Sequence, residues 1–333
     1  MNSIQHLVRL SKERSILTQK IRNFFTKNNF IEVETPIMVR IPGMEPHLDP
    51  FETTLKTPQK KEYKFFLNTS PELQMKKLLG QGLKKIFNIT KVFRNGEISE
   101  TRHNPEFTMI EWYRQKADYK DLMKDCENLI KSLATKSTIN YQNHKININK
   151  PWERLSTNEL FMKYCKIDLT KNRDLKTFKK IALEKKFDTN GCKDWDDIFF
   201  KIFLNHIEPN LGFKKPTFVY DYPTTQAALA KKKKSNPFFA ERFELYIAGV
   251  EITNAFSELI DPKEQRQRLQ EEQNLRKRLG KTVFDIDEEF LASLKSIRYP
   301  SAGIALGIDR LFMILLNKKN MEDTLLFPIK TLL

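Results

Sequence analysis

The 333-residue sequence predicts an α+β fold in which antiparallel strands, joined by long charged loops, are flanked by helices. Segments with apolar residues at every second position alternate with segments whose apolar residues recur at helical spacing. A Lys-rich stretch, roughly residues 119–215, has helical spacing and predicts a helical insertion. The glycine patterns GxGxxG and GxxxxGK[ST], which mark Rossmann and P-loop folds, do not occur.

The first third of the chain shows both periodicities. Residues 12–29 predict an amphipathic helix, because Leu17, Ile21 and Phe25 lie on one face. Residues 30–36 alternate in polarity and end at a proline, as edge strands do. A short strand at 65–68 precedes a predicted helix that runs to about Leu79, with Ser70 as its N-cap and Pro71 at its first position.

Later segments complete the predicted sheet. Residues 86–93 and 107–113 predict a hairpin whose strands are joined by the polar loop 94–104. The remaining elements, in order, are a strand at 217–222, an alternating strand region at 242–252 with a bend at Gly249, a polar surface helix at 262–279, a small-residue strand at 303–307 and a helix from Asp309.

Composition narrows the class of protein. The 58 Lys and Arg residues exceed the 42 Asp and Glu residues by 16, so anionic partners such as nucleotides, nucleic acid or an acidic protein are favoured. Lysines spread over solvated faces would give the same net charge. No apolar run approaches the ~18 residues of a membrane span. The three cysteines have no metal-binding spacing, which predicts free thiols and a cytoplasmic location.

One polar cluster suits a nucleotide. Arg94, Arg102 and His103 lie in the hairpin loop, and Phe107 begins the following strand. Arginine forks bind phosphate oxygens in a bidentate manner, and an aromatic ring can stack on a base. These residues therefore predict a site for a polyphosphate with an attached base.

Two carboxylates suit a magnesium ion. Glu244 and Glu251 are seven residues apart, and a bulge or bent strand near Gly249 would aim both to one side. Mg²⁺ is commonly held by a few protein carboxylates together with water and substrate phosphates.

Acidic residues elsewhere suit an amine-bearing substrate. Glu72, Glu111 and Glu258, with Tyr113, would form an acidic pocket in a basic chain and select a substrate with two amines. The small residues of 303–307 would let such a ligand approach the backbone.

Several of these segments, in this order, resemble the motifs of class II aminoacyl-tRNA synthetases of the lysyl type. Residues 12–36 resemble motif 1, residues 93–111 resemble motif 2, and residues 303–310 resemble motif 3. Residues 251–259 are similar to the lysyl branch. The resemblance implies a class II synthetase-like antiparallel sheet flanked by helices, with the helical insertion at 119–215, and a homodimer formed through motif 1.

Within that class the chain resembles the stand-alone elongation factor P–lysine ligase family. Trp112, residues 216–220 and Ala305 carry this resemblance, and Ala305 stands where tRNA-charging relatives have Gly. About 15 residues precede the motif 1 helix, too few for a domain, so we expect one catalytic domain over residues 1–333 and no anticodon-binding domain. The implied enzyme is an ATP-dependent ligase that activates lysine, in particular (R)-β-lysine, as an aminoacyl-adenylate and transfers it to a lysine ε-amine of elongation factor P.

Two alternatives remain open. A minimal lysyl-tRNA synthetase would share the same motifs and charge tRNA. A non-catalytic nucleotide-sensing paralogue would need a lost motif arginine or metal carboxylate, whereas Arg94, Arg310, Glu244 and Glu251 are all present. The resemblance further implies ATP and Mg²⁺ as cofactors and no membrane association.

The resemblance also assigns roles to residues. The expected ATP contacts come from motifs 2 and 3 and the lysyl segment: Arg94, Asn95, Glu97, Arg102, His103, Asn104, Phe107, Glu251, Ile252, Gly307 and Arg310. Arg94, at the α-phosphate, and Arg310, stacked with Phe107 around adenine, are the expected catalytic residues. The expected amino-acid contacts are Ser70, Pro71, Glu72, Glu111, Tyr113, Asn254, Glu258 and Ala305. Glu244 and Glu251 are the expected Mg²⁺ ligands.

One departure concerns motif 2. The family reads Arg-Asn-Glu, whereas this chain reads Arg94-Asn95-Gly96-Glu97. We assign the glutamate role to Glu97 and interpret Gly96 as an inserted residue.

Overall fold

A computed structural model describes residues 3–99 and 101–333. Its α-helices are α1 (Ser3–Lys27), α2 (Glu72–Gly80), α3 (Tyr119–Leu133), α4 (Thr157–Leu160), α5 (Leu175–Glu184), α6 (Trp195–Ile202), α7 (Pro262–Arg278), α8 (Glu288–Leu294) and α9 (Ile308–Leu315). Its strands are β1 (Ile31–Glu32), β2 (Met38–Val39), β3 (Glu52–Lys56), β4 (Glu62–Leu67), β5 (Lys85–Phe93), β6 (Glu106–Gln115), β7 (Thr138–Tyr141), β8 (His144–Asn147), β9 (Glu153–Ser156), β10 (Thr217–Pro223), β11 (Phe239–Ile247), β12 (Val250–Ser257) and β13 (Ser301–Gly307).

The strands form one large sheet and two small ones. The large sheet has eight strands in the order β1-β5-β6-β13-β12-β11-β10-β9, and the smaller sheets are β2-β4-β3 and β7-β8. The central pairs of the large sheet are antiparallel, and the outermost pairs, β1 with β5 and β9 with β10, are parallel. The predicted α+β fold with a central antiparallel sheet is therefore confirmed.

Helices α1, α3 and α9 cover one face of the large sheet. The main core includes Phe25 of α1, Phe87 of β5 and Trp112 of β6, whose rings lie about 5 Å apart, together with Leu129 of α3 and Phe312 of α9. Because strand side chains alternate between faces, burying this face directs the other set of side chains towards the opposite side of the sheet.

Three sequence-based boundaries differ from the structure. Helix α1 begins at Ser3 rather than at residue 12, and its early residue Leu10 is buried. The edge strand predicted over residues 30–36 pairs only at Ile31–Glu32. Ser70 is not the N-cap of α2, because Pro71 occupies that position; the Ser70 hydroxyl instead accepts a hydrogen bond from the Glu72 amide at 3.3 Å.

The region 119–215 contains strands as well as helices. Its first helix, α3, packs in the main core, and β9 pairs with β10 at the edge of the large sheet. From Thr157 to Asn210 the chain is helical and forms a second core, in which Phe199 and Phe203 pack near Tyr222 of the sheet. Strand β9 could not be recognised from its neighbours in the sequence, because it pairs with the distant strand β10, whereas β7 and β8 form a local hairpin of four-residue strands.

The polar helix α7 is anchored by buried arginines. The sequence predicts a surface element, yet Arg276 is fully buried and Arg268 is nearly so. Arg268 donates hydrogen bonds to the carbonyl groups of Ala227 and Ala230, at 2.6 and 2.7 Å. An arginine can be buried when its guanidinium group donates to several carbonyl oxygens. A charged residue in the sequence therefore does not by itself indicate an exposed position.

No helix in the ranges 3–99 and 101–333 is both long and apolar enough to cross a membrane.

A buried ion pair joins the motif 1 helix to α9. Arg14 of α1 lies 2.7 Å from Asp309, whose carboxylate is almost completely buried and also accepts the Thr108 amide at 2.6 Å. We expect Arg14→Met to lower the free energy of unfolding by about 3 kcal/mol, because it leaves a buried charge without its partner. Urea denaturation measures this change.

The control is Arg9→Met on the same helix, which removes a largely exposed ion pair with Glu13. We expect that change to cost less than about 1 kcal/mol. Equal effects from the two variants would contradict a dominant role for the buried pair.

Candidate active site

The floor of the site is the central strand β13, whose residues on the open face are Gly303, Ala305 and Gly307. Ala305 pairs with Glu111 of β6 on one side and with Asn254 of β12 on the other. Successive residues of a strand point to opposite faces, so these residues form rows across one face of the sheet. The lack of bulk on β13 leaves space above the sheet.

A cavity of about 420 Å³ occupies this space. Most of the sequence-predicted site residues line it: Ser70, Glu72, Arg94, Glu97, Arg102, His103, Asn104, Phe107, Glu111, Tyr113, Glu251, Ile252, Asn254, Ala305, Gly307 and Arg310. Four predicted residues do not line it: Pro71, Asn95, Glu244 and Glu258. Pro71 begins α2, Asn95 bridges to Asp49, and the other two lie in adjoining buried networks.

One end of the cavity is cationic. The Arg94 guanidinium lies 5.2 Å from the centre of the Phe107 ring, and Arg310 donates a hydrogen bond to the Glu251 carbonyl at 3.1 Å. Burial lowers the pKa of His103, and the positive charges of Arg310, Arg94 and Arg102 lower it further. A neutral histidine among three arginines leaves the guanidinium groups as the positive charges available to phosphate.

The motif 2 loop presents Glu97 and not Gly96. Glu97 lines the cavity and lies 3.8 Å from the Arg94 guanidinium. Gly96 has φ +79°, a conformation that favours glycine, and it does not line the cavity. Gly96, the additional residue, therefore forms a turn, and Glu97 lies at the cavity.

The other end of the cavity is acidic. Glu111 is buried on β6 and accepts a hydrogen bond from the Tyr113 hydroxyl at 2.8 Å. Burial raises the pKa of Glu111, and Glu72 raises it further. Glu258 lies beneath Gly303, since a Cβ at Gly303 would come within 2.4 Å of its Oε1 atom.

A lysine that the sequence analysis missed belongs to this acidic end. Lys76 of α2 is buried, and its ammonium lies 2.5 Å from Glu72 and 2.7 Å from Glu258. Burial opposes the charged form of Lys76, but Glu258 and Glu72 outweigh it, so its pKa is raised. The i,i+4 spacing of Glu72 and Lys76 on a predicted helix was the available signal.

Lys76 determines the net charge of the acidic end. Fully ionised Glu72, Glu111 and Glu258 carry three negative charges, and Lys76 returns one positive charge. The difference is two negative charges, which matches a ligand with two ammonium groups. Burial raises the pKa of Glu258 to about 8; Lys76 opposes this rise and Glu72 adds to it, and a cationic ligand would favour the ionised form of the carboxyl.

Glu244 and Glu251 lie on two strands and not on one bent strand. The turn at Ala248 and Gly249, with φ of 51° and 69°, reverses the chain between β11 and β12. Glycine adopts the αL conformation of such turns easily, so Gly249 marks the change of chain direction that the sequence predicted as a bend. Glu251 lines the cavity, whereas Glu244 is buried behind it.

Glu244 and Glu251 offer carboxylate oxygens, the ligand type that Mg²⁺ prefers. Glu244 accepts hydrogen bonds from the Tyr222 and Tyr246 hydroxyls, each at 2.6 Å. Burial raises its pKa, and repulsion from Glu251 raises it further, so a nearby cation would stabilise both carboxylates. Within the described ranges no cluster of three or more His, Cys, Asp or Glu is arranged for a metal. Arg242 also donates a hydrogen bond to the other Glu244 oxygen at 2.7 Å, so Glu251, which lines the cavity, is the carboxylate that an ion with substrate ligands would meet first.

Two further carboxyl groups at the site, those of Glu208 and Glu45, were not predicted from the sequence. Glu208 lies 3.4 Å from Arg102, and burial raises its pKa to about 7, with Glu251 contributing. Glu45 lines the cavity from the loop between β2 and β3. Neither residue belongs to a recognisable motif, and each reaches the site only through chain folding.

The antiparallel sheet and a cavity with one cationic and one acidic end define a class II synthetase-type catalytic module. The family model described as tRNA synthetases class II (D, K and N) matches residues 5–331, and the chain belongs to that family.

Two kinds of relative resemble the chain within the family. A lysine–tRNA ligase of Wigglesworthia glossinidia brevipalpis is 41% identical over 327 residues, which cover 95% of this chain and 64% of the relative. Elongation factor P–(R)-β-lysine ligases of Hamiltonella defensa and Avibacterium paragallinarum are 36% and 38% identical, covering 96% and 98% of this chain and 94% and 96% of the relatives. The chain thus spans about 64% of the tRNA ligase and nearly all of the protein ligases. The sequence-based resemblance to the elongation factor P–lysine ligases is confirmed.

Gly303 and Gly307 allow the two ends of the cavity to be tested separately. A Cβ at Gly303 would lie 2.1 Å from the Tyr113 ring, whereas one at Gly307 would meet only Arg310 at 3.8 Å. We expect Gly303→Ala to weaken lysine binding at least about tenfold, the cost of a ~1.4 kcal/mol clash, and to leave ATP binding nearly unchanged. Gly307→Ala should weaken ATP binding more than lysine binding. Calorimetric titration with each ligand checks both; loss of both ligands in both variants would contradict the division.

Lysine affinity should depend on pH through Glu258. Its pKa is raised, so the carboxyl is neutral at low pH and the attraction to an ammonium is lost as pH falls through about 8. We expect the Kd for lysine to rise by up to about tenfold per pH unit below that value, and Glu258→Gln to flatten the profile. Titrations from pH 6 to 9, with ATP as the control ligand, measure this; an unchanged profile in the variant would contradict the assignment.

Proposed function

We propose that the chain is an ATP-dependent amino acid–protein ligase that forms an amide bond and releases AMP. It activates lysine, in particular (R)-β-lysine, as an aminoacyl-adenylate and transfers it to a lysine ε-amine of elongation factor P. The observation that supports this most directly is the cavity, in which arginines face a cluster of buried carboxylates across strand β13. The protein ligases of nearly equal length support the choice of acceptor.

The activation step uses both ends of the cavity. Arg94 holds the α-phosphate and neutralises the charge that builds there, while Arg310 and Phe107 enclose adenine. Arg102, His103, Asn104 and Glu97 lie along the nucleotide, with Asn95, Ile252 and Gly307 near it. No protein nucleophile is needed, so rate comes from positioning and charge neutralisation.

The amino acid lies at the acidic end. Glu111, Tyr113 and Glu258 take one ammonium group, and Ser70, Pro71 and Glu72 lie near the other. Asn254 meets the carboxylate, and it is oriented for this by Arg242, whose Nε donates to its side-chain oxygen at 3.1 Å. Ala305, between Asn254 and Glu111, sets how far the substrate descends towards the sheet.

ATP enters with Mg²⁺, which Glu251 and Glu244 would hold together with phosphate oxygens, and which would supply Lewis-acid charge neutralisation. The protein's own part is to present Glu251 at the cavity wall and to keep Glu244 oriented through Tyr222 and Tyr246.

A second candidate function is lysine–tRNA ligation. The 41% identity to a lysine–tRNA ligase favours it. Ala305 favours the protein ligase, because its methyl group reshapes the floor beside Glu111 and Asn254. A non-catalytic nucleotide sensor is disfavoured, because Arg94, Arg310 and Glu251 all line the cavity.

Three further features belong to the proposal. The chain forms a homodimer through the motif 1 helix and acts in the cytoplasm, where its cysteines Cys126, Cys165 and Cys192 stay free. The two cores form a single catalytic domain, since Tyr222 and Tyr246 of the large sheet belong to the second core.

Intact-mass spectrometry of elongation factor P tests this function. After incubation with the enzyme, Mg²⁺-ATP and either lysine isomer, we expect a mass increase of one lysyl unit, with (R)-β-lysine the better donor. Bulk tRNA is the parallel acceptor. Lysine attached to tRNA, with no change in the mass of the protein, would establish the tRNA ligase instead. The absence of pyrophosphate exchange with either isomer would favour the sensor.

A further inference from the structure

Transfer to a polypeptide needs a proton acceptor beside the adenylate. An acceptor lysine is an ammonium at neutral pH, since its pKa is about 10.4, and only the neutral amine attacks a carbonyl carbon. The residues assigned above have roles in binding ATP, Mg²⁺ or the amino acid, and proton acceptance is not among those roles.

Glu45 differs from the other acidic residues of the cavity. Glu72 is paired with Lys76, Glu111 accepts from Tyr113, and Glu251 lies beside Arg310. The Oε2 atom of Glu45 is buried yet has no hydrogen-bond partner among residues 3–99 and 101–333, and no ion pair there includes it. An unpaired buried carboxylate oxygen is costly unless a ligand or water satisfies it.

Glu45 lies where two cavities meet. A second cavity, of about 940 Å³, shares Glu45, Ser70, Glu72, Asn254 and Phe256 with the first. Its larger volume suits a polypeptide segment better than a single amino acid. An acceptor side chain that entered from the second cavity would pass Glu45 on its way to the carbonyl group of the bound amino acid.

The second cavity is acidic although the chain is basic. Its lining includes eight carboxylate residues and three lysines or arginines: Glu45, Glu72, Asp194, Asp196, Asp197, Glu272, Asp285 and Asp287, against Lys193, Arg242 and Arg278. A negative potential attracts a segment that carries a lysine. The wide cavity is therefore suited to deliver an acceptor ammonium to Glu45.

The Glu45 side chain is confined and its backbone is anchored. It packs against Gly43, where an added Cβ would lie 2.1 Å from Oε2. The buried Arg276 of α7 donates hydrogen bonds from Nη1 to the Glu45 carbonyl at 2.7 Å and to the Leu48 carbonyl at 2.8 Å. An anchored backbone and a confined side chain limit the movement of the carboxylate, which favours preorganised proton transfer.

The electrostatic surroundings of Glu45 are mixed. Burial raises the pKa of its carboxyl, and Glu72 raises it further, while Arg94 and Lys76 oppose that rise. Glu272 of α7 also faces Glu45, and Arg276 of the same helix holds its backbone. A carboxyl whose pKa moves towards neutrality is a stronger proton acceptor than an ordinary surface glutamate.

We propose that Glu45 is the general base of the transfer step, an inference that rests on the proposed ligase function. The acceptor ammonium gives one proton to the Glu45 carboxylate, and its nitrogen then attacks the adenylate carbonyl carbon. The new C–N bond forms as the bond between that carbon and the phosphate oxygen breaks. The electron pair of the broken bond leaves with AMP, whose phosphate takes the second proton of the nitrogen.

The test separates activation from transfer in the full-length protein. For Glu45→Gln we expect pyrophosphate exchange with lysine and ATP within about threefold of the wild type, and transfer to elongation factor P at pH 7 reduced about 100-fold or more. Hydroxylamine, which is unprotonated at neutral pH, should still trap the adenylate at the wild-type rate. The transfer rate of the variant should recover as pH rises towards 10, because solvent then deprotonates the acceptor.

Two further variants sharpen the test. Gly43→Ala should also impair transfer more than exchange, because the new methyl group displaces the Glu45 carboxylate. Glu271→Gln, at an exposed position of α7 outside both cavities, is the matched control and should leave both rates unchanged.

Three results would overturn the inference: transfer by Glu45→Gln at the wild-type rate, equal loss of exchange and transfer, or a loss of transfer that high pH does not restore. The last would assign Glu45 to acceptor binding. Failure of the wild-type protein to carry out exchange with either lysine isomer would refute the proposed ligase function itself, and that result is distinguishable from all three.

Discussion

The structure depends on one constraint: the central strand of the large sheet has almost no side-chain volume on its open face. Gly303, Ala305 and Gly307 line the cavity floor, while Ile304 and Leu306 are buried on the opposite face. The same strand therefore anchors the helices on one side and leaves room for ligands on the other. At Gly303 itself, Tyr113 and Glu258 already occupy the space, since an added Cβ would overlap both side chains.

The charges around this floor are separated by the chain topology. The motif 2 hairpin brings arginines to one end, whereas Glu111 on β6 and Glu258, directly after β12, lie at the other. Lys76 makes the acidic end stable without a ligand, because Glu72 and Glu258 share its ammonium. Burying carboxylates without such a partner would be strongly unfavourable. Under the proposed function, a diamine would bind to a site whose charge is already partly compensated.

The periphery of the site is held by long-range polar contacts. Arg276 of α7 reaches the loop that carries Glu45, and Arg14 of α1 pairs with Asp309 at the start of α9. Both arginines satisfy groups that would otherwise be buried without partners. Helix α7, predicted as a surface element, and the amphipathic helix α1 therefore position a loop and a helix start at the cavity.

Residue order alone was enough to determine the α+β class, the motif 2 hairpin and the small-residue strand, because apolar periodicity and motif spacing are local properties. The same motifs contain most of the residues that line the cavity. Folding decided that Glu244 and Glu251 lie on separate strands, that Lys76 offsets part of the charge of the acidic end, and that Glu45 lies where the two cavities meet. These outcomes depend on pairing register and on burial between distant segments, and neither quantity is encoded in the spacing of neighbouring residues.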